Sequence, residues 1–337
     1  MFVARPPATP PRRPDLHLVR AVGATFTGPA EFLADRGNRA RVGEYLADMA
    51  RPYGREVPAA LFGEPSSPAR GHSYGEMAQA LIGPAVLADE PVDLLVLAFS
   101  VHDLRPGRQT AAYLSHLTPA APMAFAICDQ GSAAAFSGLR IIDAYASSAG
   151  IRRALLIVVE QADLPYDCPV TLPVQHRGVA MLYADGAMSQ PQARQPQARQ
   201  PQARQPQARQ SQARQPQARQ SQARQPQARV SGMRQHPGAR PGDVAGLADA
   251  DLAELAAGHR EVSLVVSDPL AATWTAPAAG RVRVMPPGQP STAVWSGLID
   301  ELTGDAGHPD LVVAADYDPG LRYLSLTAFE TGPRSGL

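Results

Sequence analysis

Short apolar runs alternate with amphipathic stretches along most of the chain, and this alternation predicts a layered α/β structure. The predicted buried strands are residues 93–99, 124–127, 153–159, 178–183, 262–266, 310–314 and 322–329. Helices are predicted over residues 73–82, 109–117, 132–148, 251–257 and 294–302. The first of these helices should end at Gly83-Pro84, because proline inside a helix removes a hydrogen bond and clashes with the preceding turn. The second half of the chain thus repeats the strand–helix order of the first.

A tandem repeat interrupts this pattern. Residues 190–229 are eight pentapeptides, Gln-Pro-Gln-Ala-Arg with two Gln-Ser-Gln-Ala-Arg variants. A period of five matches neither a helix nor a strand, and a segment without large apolar side chains cannot offset its ordering entropy. The tract is therefore predicted to be an extended, mobile, cationic loop with eight arginines.

Two interpretations of the tract remain open. It is either an expansion tolerated in a surface loop, because loop closure depends weakly on length, or a loose binding site for nucleic acid, acidic protein or an anionic surface. The lack of aromatic residues that would stack on bases favours the first interpretation.

The tract also suggests a division of the chain. A disordered Pro/Arg-rich tail is expected over residues 1–15 and an N-terminal half over residues 16–183. A linker carrying the repeats follows over residues 184–242, and a C-terminal half covers residues 243–330.

Composition excludes several classes of function. The 31 basic and 31 acidic residues give a formal net charge of zero, so no overall field favours a nucleic-acid or membrane partner. Every basic residue is arginine, which excludes a Schiff-base lysine, a pyridoxal-phosphate anchor and a lysine-containing phosphate loop. Cys128 and Cys168 lack metal-ligand spacing and indicate a reducing compartment. Because no secretory core or membrane-spanning apolar run is visible, a cytoplasmic protein is expected.

The segment Ala-Phe-Ala-Ile-Cys-Asp-Gln-Gly-Ser-Ala-Ala-Ala-Phe-Ser-Gly-Leu, residues 124–139, is the clearest candidate for chemistry. A strand runs into Gly131-Ser132 and then into a helix, whose free N–H groups and dipole favour developing negative charge. Ser132 is the candidate nucleophile, with Asp129 or His102 assisting and contacting substrate. The alternative is that Ser132 serves only as a helix N-cap residue.

The order of these elements resembles the thiolase superfamily, and within it ketoacyl-ACP synthase III-like proteins. The segments that carry the resemblance are residues 92–103, 124–139, 151–160, 175–183, 261–270 and 288–295. The resemblance spans about residues 70–183 and 243–330. It implies a thiolase-like α/β fold in which two related halves form a five-layered αβαβα core. It further implies an acyl-CoA or acyl-ACP phosphopantetheine thioester as substrate, with no bound cofactor and no metal.

Members of this family condense acyl groups with a cysteine, a histidine and an asparagine, and none of the three is matched here. The cysteine position falls on Gly131 when counted from the strand, or on Ser132 when counted back from the helix. The histidine position falls on Ser267 and the asparagine position on Gln289. Without a thiolate the site lacks the best nucleophile for thioester exchange, and a missing oxyanion donor typically costs about 3 kcal/mol.

Two functions are therefore expected as alternatives. The first is a non-condensing partner or pseudoenzyme of bacterial polyketide, fatty-acid or other specialised metabolism, which binds an acyl carrier protein and forms a homodimer or a heterodimer with a thiolase-fold paralogue. The second is an acyltransferase or thioesterase that uses Ser132. Between residues 183 and 244 relatives place further strands, so either part of the core sheet is missing or the correspondence is loose there.

Overall fold

The computed structural model describes residues 15–27, 31–56, 71–105, 107–162, 172–186, 218–220, 223–277, 280–304 and 309–332. The expected N-terminal tail, apart from residue 15, lies outside the described residues. The same holds for the first five repeat units and for Cys168. Among the described residues no helix is both long and apolar enough to cross a bilayer.

Strands and helices alternate through both halves. The strands are β1 (Leu16–Phe26), β2 (Leu94–Ala98), β3 (Met123–Ile127), β4 (Arg153–Glu160), β5 (His176–Asp185), β6 (Ala218–Gln220), β7 (Ala228–Pro237), β8 (Val262–Val266), β9 (Arg281–Val284), β10 (Leu311–Asp318) and β11 (Tyr323–Thr331). The helices are α1 (Glu31–Ala34), α2 (Arg36–Ala50), α3 (Tyr74–Ala85), α4 (Thr110–Leu117), α5 (Ala134–Ala149), α6 (Pro241–Leu255), α7 (Asp268–Ala271) and α8 (Ala293–Thr303). A 3₁₀ turn, Gly131–Ala133, directly precedes α5.

The strand order is the same in the two halves when each is followed inward from its outer edge. The order is β3-β2-β4-β5-β1 in the first half and β9-β8-β10-β11-β7 in the second, and the two sets meet at β1 and β7. The inner pairings also correspond, because β2 and β8 are parallel to both neighbours while β5 and β11 run antiparallel to theirs. The prediction of two related halves is confirmed.

Side-chain alternation along the strands sets the layers. In β4, Leu156 and Val158 face a central core that contains α5 and α8, whereas the intervening residues face α3 and α4. In β10, Val312 and Ala314 face the same central core, and their neighbours pack under α6 and α7. Helices therefore lie outside each half-sheet and between the two, which confirms the predicted five-layered αβαβα core.

The central helices α5 and α8 pack against each other and the sheets at equivalent positions. Phe136 and Trp295, each two residues into its helix, have ring centroids 4.7 Å apart. Gly138 and Gly297, each four residues in, lie against valines of the neighbouring half-sheets. A Cβ at Gly138 would lie 2.9 Å from Cδ1 of Leu156, so only glycine allows so close an approach. The internal symmetry thus extends to side-chain packing.

Two predicted helix bounds are wrong. Helix α3 continues through Gly83-Pro84 to Ala85, and the N–H of Val86 donates to the carbonyl of Ile82 at 2.9 Å. Pro84 lacks the N–H that would donate to the carbonyl of Ala80, and the helix ends one residue after it, at Ala85. Helix α6 starts at Pro241, well before the predicted residue 251, because proline suits the first helical position.

Residues 218–220 and 223–229, which belong to the last three repeat units, contribute to the seam between the halves. Strand β6 pairs antiparallel with β1, and Arg224 exchanges two backbone hydrogen bonds with Ala21 at 2.8 and 2.9 Å. Strand β7 starts inside the last unit, pairs with β1 at Leu18 and then follows β11. The prediction of a mobile loop is therefore wrong for residues 218–220 and 223–229.

Strand β7 belongs to the second half. That half therefore begins before the expected residue 243, and it includes a strand that the sequence analysis did not assign.

The arginines of the last three repeat units lie opposite β1 residues at a regular interval of four. Arg219, Arg224 and Arg229 lie opposite Thr25, Ala21 and His17. Each five-residue unit thus passes four residues of β1 and accommodates one extra residue, as a β-bulge does. Backbone hydrogen bonds need no apolar side chains, which is why hydrophobic patterning failed to detect this strand.

Candidate functional site

Each central helix begins at a carboxylate from the opposite half. At the end of β4, Glu160 accepts hydrogen bonds from the N–H groups of Ser291 at 2.8 Å and Thr292 at 3.3 Å, and from the Thr292 hydroxyl. At the end of β10, Asp318 accepts from the N–H of Ser132 at 3.1 Å. Ser132 and Ser291 both lie two residues before their helices. These carboxylates bind the free N–H groups and positive dipole ends of α5 and α8.

Gly131 has no room for a side chain. Its φ is +52°, in the left-handed region, and an added Cβ would collide with Oδ2 of Asp318 and lie 3.1 Å from Cδ1 of Leu321. Gly131 is the residue that counting from the strand places at the family's cysteine position. The Asp318 carboxylate therefore fills the space into which a side chain at this position would project.

Ser132 is buried and bonded to a second carboxylate. Its side chain donates to Oδ2 of Asp316 at 2.5 Å, and only 7% of the residue is exposed. Ser267 also hydrogen-bonds to Asp316, and its hydroxyl accepts from the N–H of Tyr317 at 3.4 Å. The structure thus joins two predicted site residues, Ser132 and Ser267, through Asp316.

Burial shifts the acidity of both internal carboxyl groups upward. Loss of hydration raises the pKa of Asp316 to about 6; the hydrogen bonds from Ser132 and Ser267 oppose this change, and the charge of Asp318 adds to it. Burial likewise raises the pKa of Glu160 to about 7, against the hydrogen bonds from α8 and the charge of Arg177. Asp316 is therefore mostly ionised at neutral pH, whereas Glu160 is close to half-protonated.

Gln289 does not join the Ser132 cluster through any hydrogen bond to the described residues. Its amide nitrogen donates to the carbonyl of Gln175 at 3.3 Å, and its buried Oε1 has no partner in the described part of the chain. Gln161, which follows Glu160, is arranged similarly: its nitrogen donates to the carbonyl of His102 at 2.8 Å and its Oε1 lacks a described partner. The amide nitrogen of each glutamine thus donates to a backbone carbonyl in a loop.

Asp129 and His102 are exposed, and neither is among the hydrogen-bond partners of Ser132. Asp129 instead accepts from the thiol of Cys128 at 3.5 Å. The expected assistance to Ser132 from Asp129 or His102 is wrong, because Asp316 and Asp318 take that place. A role for Asp129 or His102 in binding substrate stays a prediction.

Sequence reasoning missed Glu160, Asp316 and Asp318. A signal was present, since the central strand of each half ends in acidic residues, Glu160 in β4 and Asp318 in β10. Within the described residues no group of three His, Cys, Asp or Glu side chains is arranged to hold a metal ion. The side chains described in this region supply hydroxyl groups from Ser132 and Ser267, amides from Gln161 and Gln289, and carboxyl groups from the three acidic residues.

No protein-family profile matches the chain, and no curated protein matches it by sequence. Solved structures match at the level of fold. AbyA1, described as a tetronic acid condensing enzyme, shares 15% identity with a TM-score of 0.55, covering 94% of this chain and 100% of its own. OleA of Xanthomonas campestris with bound lauric acid and lauroyl-CoA shares 14% identity with a TM-score of 0.53, covering 95% and 100%. ChlB3, described as an acyltransferase, shares 14% identity with a TM-score of 0.51, covering 94% and 98%. The fold is thiolase-like.

Proposed function

We propose that this chain is a non-condensing thiolase-fold protein of bacterial polyketide, fatty-acid or other specialised metabolism. In this role it binds an acyl carrier protein or pairs with an active synthase. The observation that carries the proposal is the Asp318 carboxylate, which fills the side-chain space at Gly131 and occupies the N–H of Ser132. Acyl condensation needs a nucleophilic side chain at position 131 and free N–H groups to stabilise an oxyanion. The Asp318 carboxylate fills the side-chain space and accepts the hydrogen bond of the Ser132 N–H, so it blocks both.

The other two family positions support the same proposal. Ser267 cannot supply a proton donor equivalent to histidine, because its hydroxyl is bonded to Asp316. Gln289 directs its amide nitrogen to the carbonyl of Gln175. Three positions that perform condensation in the family are thus engaged in internal contacts, and what remains is a thiolase-like shape suited to binding.

The edge of the first half-sheet supports a paired state. Strand β3 lies at the end of the strand order, and Met123 at its start is 47% exposed. An edge strand with exposed apolar side chains offers its unpaired backbone groups to a second chain. A homodimer or a heterodimer with a thiolase-fold paralogue would cover it.

Intact mass spectrometry after incubation with lauroyl-CoA tests the absence of acyl chemistry. Free thiols exchange with thioesters without any binding site, so the experiment uses a variant in which both Cys128 and Cys168 are replaced by serine. No adduct is expected. The combined Gly131→Cys and Asp318→Gly variant restores a thiol and removes the carboxylate that fills its space, and we expect a single adduct at position 131. A condensation product from the unmodified chain would contradict the proposal.

Binding is tested separately. The chain should form a complex with an acyl carrier protein or with a cysteine-containing thiolase-fold paralogue encoded nearby, measured by size-exclusion chromatography with light scattering. Failure to bind either protein, with the chain monomeric at micromolar concentration, would contradict the partner role while leaving the absence of condensation intact.

One observation favours the second candidate, an acyltransferase or thioesterase that uses Ser132. The Ser132 hydroxyl lies 2.5 Å from Asp316, whose raised pKa of about 6 suits a proton acceptor. This function predicts an acyl adduct on Ser132 in the background that carries both Cys128→Ser and Cys168→Ser, lost in both Ser132→Ala and Asp316→Asn. Ser137→Ala, which changes a serine further along α5, is the matched control and should keep the adduct.

A further inference from the structure

A small open cavity of about 40 Å³ lies at the seam between the halves, in the central layer beside α8. Its apolar wall comes from β1 and Ile299, and its polar wall from Arg177, Arg224, Ser296 and Asp300. Arg224 belongs to the seventh repeat unit, so the tract contributes a side chain to this cavity. The cavity is separate from the Ser132 cluster.

The charges around the cavity do not balance. The Asp300 carboxylate is bound on one oxygen by Arg224 at 2.6 Å and on the other by Arg283 at 3.0 Å. The single negative charge of Asp300 is therefore shared by two arginines, and Arg177 is a third positive charge nearby. Glu160 lies opposite Arg177 in the β4–β5 register and its charge acts on Arg177, but its oxygens accept hydrogen bonds from Ser291 and Thr292 and burial raises its pKa to about 7. The wall keeps an excess of positive charge.

Hydrogen-bond donors are also in excess. Arg177 is half-buried, and its guanidinium, which carries five N–H donors, makes no hydrogen bond to the described residues. The buried Oγ of Ser296 has no partner among those residues either. A buried hydroxyl such as that of Ser296 almost always has a hydrogen-bond partner in proteins, and both oxygens of Asp300 are already occupied. What the cavity lacks is an acceptor.

We propose that this cavity binds a small oxyanion, a phosphate or carboxylate group, between Arg177 and Ser296. The planar guanidinium presents two parallel N–H donors that match two oxygens of such a group, and Ser296 supplies a third donor after a rotation about χ1. Arg224, held in place by Asp300 and by its backbone pairing with Ala21, adds positive charge at the mouth. The site is independent of the function proposed above.

Isothermal titration of the full-length chain with inorganic phosphate, and separately with acetate, tests the proposal. Both titrations are made in chloride buffer at the same constant ionic strength, so charge screening is equal in the two and does not change during either. Saturable binding at one site is expected. Stronger binding of phosphate assigns the site to a phosphoryl group, and stronger binding of acetate assigns it to a carboxylate. No saturable binding of either anion overturns the proposal.

Variants locate the site. Arg177→Gln should weaken binding at least tenfold, whereas Arg152→Gln, which removes an exposed arginine before β4, should leave it unchanged. Arg177→Lys keeps the charge but loses the paired donors and should bind with intermediate affinity. If Arg177→Gln does not fold, Ser296→Ala replaces it, with an expected loss of several-fold. Binding by Arg177→Gln or Ser296→Ala that equals the unmodified chain places the anion elsewhere and overturns the proposal.

Discussion

At the scale of single residues, the two ends of α5 provide a matched pair of glycines. Gly131 and Gly150 have φ values of +52° and +67°, but a Cβ at Gly150 would meet nothing within 4 Å. Gly150→Ala should lower the free energy of unfolding by about 1 kcal/mol, the usual cost of a left-handed alanine. Gly131→Ala adds the collision with Asp318 and should cost about 3 kcal/mol.

Urea unfolding measures both losses. Equal values for Gly131→Ala and Gly150→Ala would show that Asp318 does not fill the space at Gly131. In an Asp318→Ala background the loss at Gly131 should fall towards that at Gly150, because only the contact with Cδ1 of Leu321 then remains, and the double-mutant cycle gives the coupling between positions 131 and 318.

Glu160 and Asp316 predict a pH dependence of stability. Because both pKa values are raised by burial, the native state holds two protons that the unfolded chain releases near pH 4. The stabilisation is complete below about pH 4 and is lost as the pH rises through about 6 for Asp316 and about 7 for Glu160. Each group accounts for up to about 3 kcal/mol.

Urea unfolding at pH 5 and pH 8 checks this prediction. The unmodified chain should lose more stability between these values than Glu160→Gln, which has no proton to release at position 160. The same loss in both proteins would mean that Glu160 titrates normally in the folded state.

Residue identity indicated part of this site in advance. Ser132 could be placed before a helix because small polar residues suit that position, and it lies there. Its partners Asp316 and Asp318 could not be found, because they belong to the other half. They reach Ser132 only because their side chains point from β10 towards α5. Patterns along the chain carry no information on which strand of one half meets which helix of the other.

At the scale of elements, close helix–sheet packing reverses the usual effect of replacing glycine in a helix. Gly246 is exposed inside α6 with nothing within 4 Å of an added Cβ, so Gly246→Ala should stabilise the chain by up to about 1 kcal/mol. At Gly297 the Cβ would collide with Sδ of Met285 and lie 2.7 Å from Cγ1 of Val265. Gly297→Ala should therefore destabilise the chain by about 1–3 kcal/mol.

Thermal unfolding followed by circular dichroism gives the sign for both variants. A stabilising Gly297→Ala would mean that α8 moves away from the sheet at little cost. The prediction depends on packing between elements, because helix propensity alone favours alanine at both positions.

Most of the strands that sequence patterns predicted are buried along nearly their whole length. Strand β8 has the predicted bounds because each of its five residues is buried and all but Ser263 are apolar. Strand β7 was missed because most of its residues are only partly buried and it contains arginine, glutamine and histidine. Helix α2 was missed because only Val42 and Leu46 are buried along its 15 residues. Elements stabilised mainly by backbone pairing or surface contacts leave no hydrophobic period to read.

At the scale of the whole molecule, the seam sets a minimum length for the repeat tract. Gly186 bonds to Asp15 at the start of β1, whereas Ala218 pairs with Phe26 at its other end. Eleven residues of strand separate those levels by about 36 Å. With only three units, the seven remaining steps from Gly186 to β6 reach about 25 Å, which is too short. With five units the reach is about 60 Å, which is ample.

Chains with eight, five and three units test this geometry. Five units should match eight to within about 1 kcal/mol in the free energy of unfolding, because loop closure changes by only about 0.6 kcal/mol per doubling of length. Three units should lose the β6 pairing and unfold at clearly lower urea concentration. A uniform decline from eight to three units would instead favour a contribution from every unit.

Because each five-residue unit passes four residues of β1, the protein can tolerate changes in the number of repeat units between generations. Tandem repeats gain and lose whole units when the replicating strands slip, and here each unit carries its arginine at the same place. After any such event that leaves at least about four units, the last three still present arginines to Thr25, Ala21 and His17. The gene can therefore drift in length from one lineage to the next without disturbing the protein that it encodes.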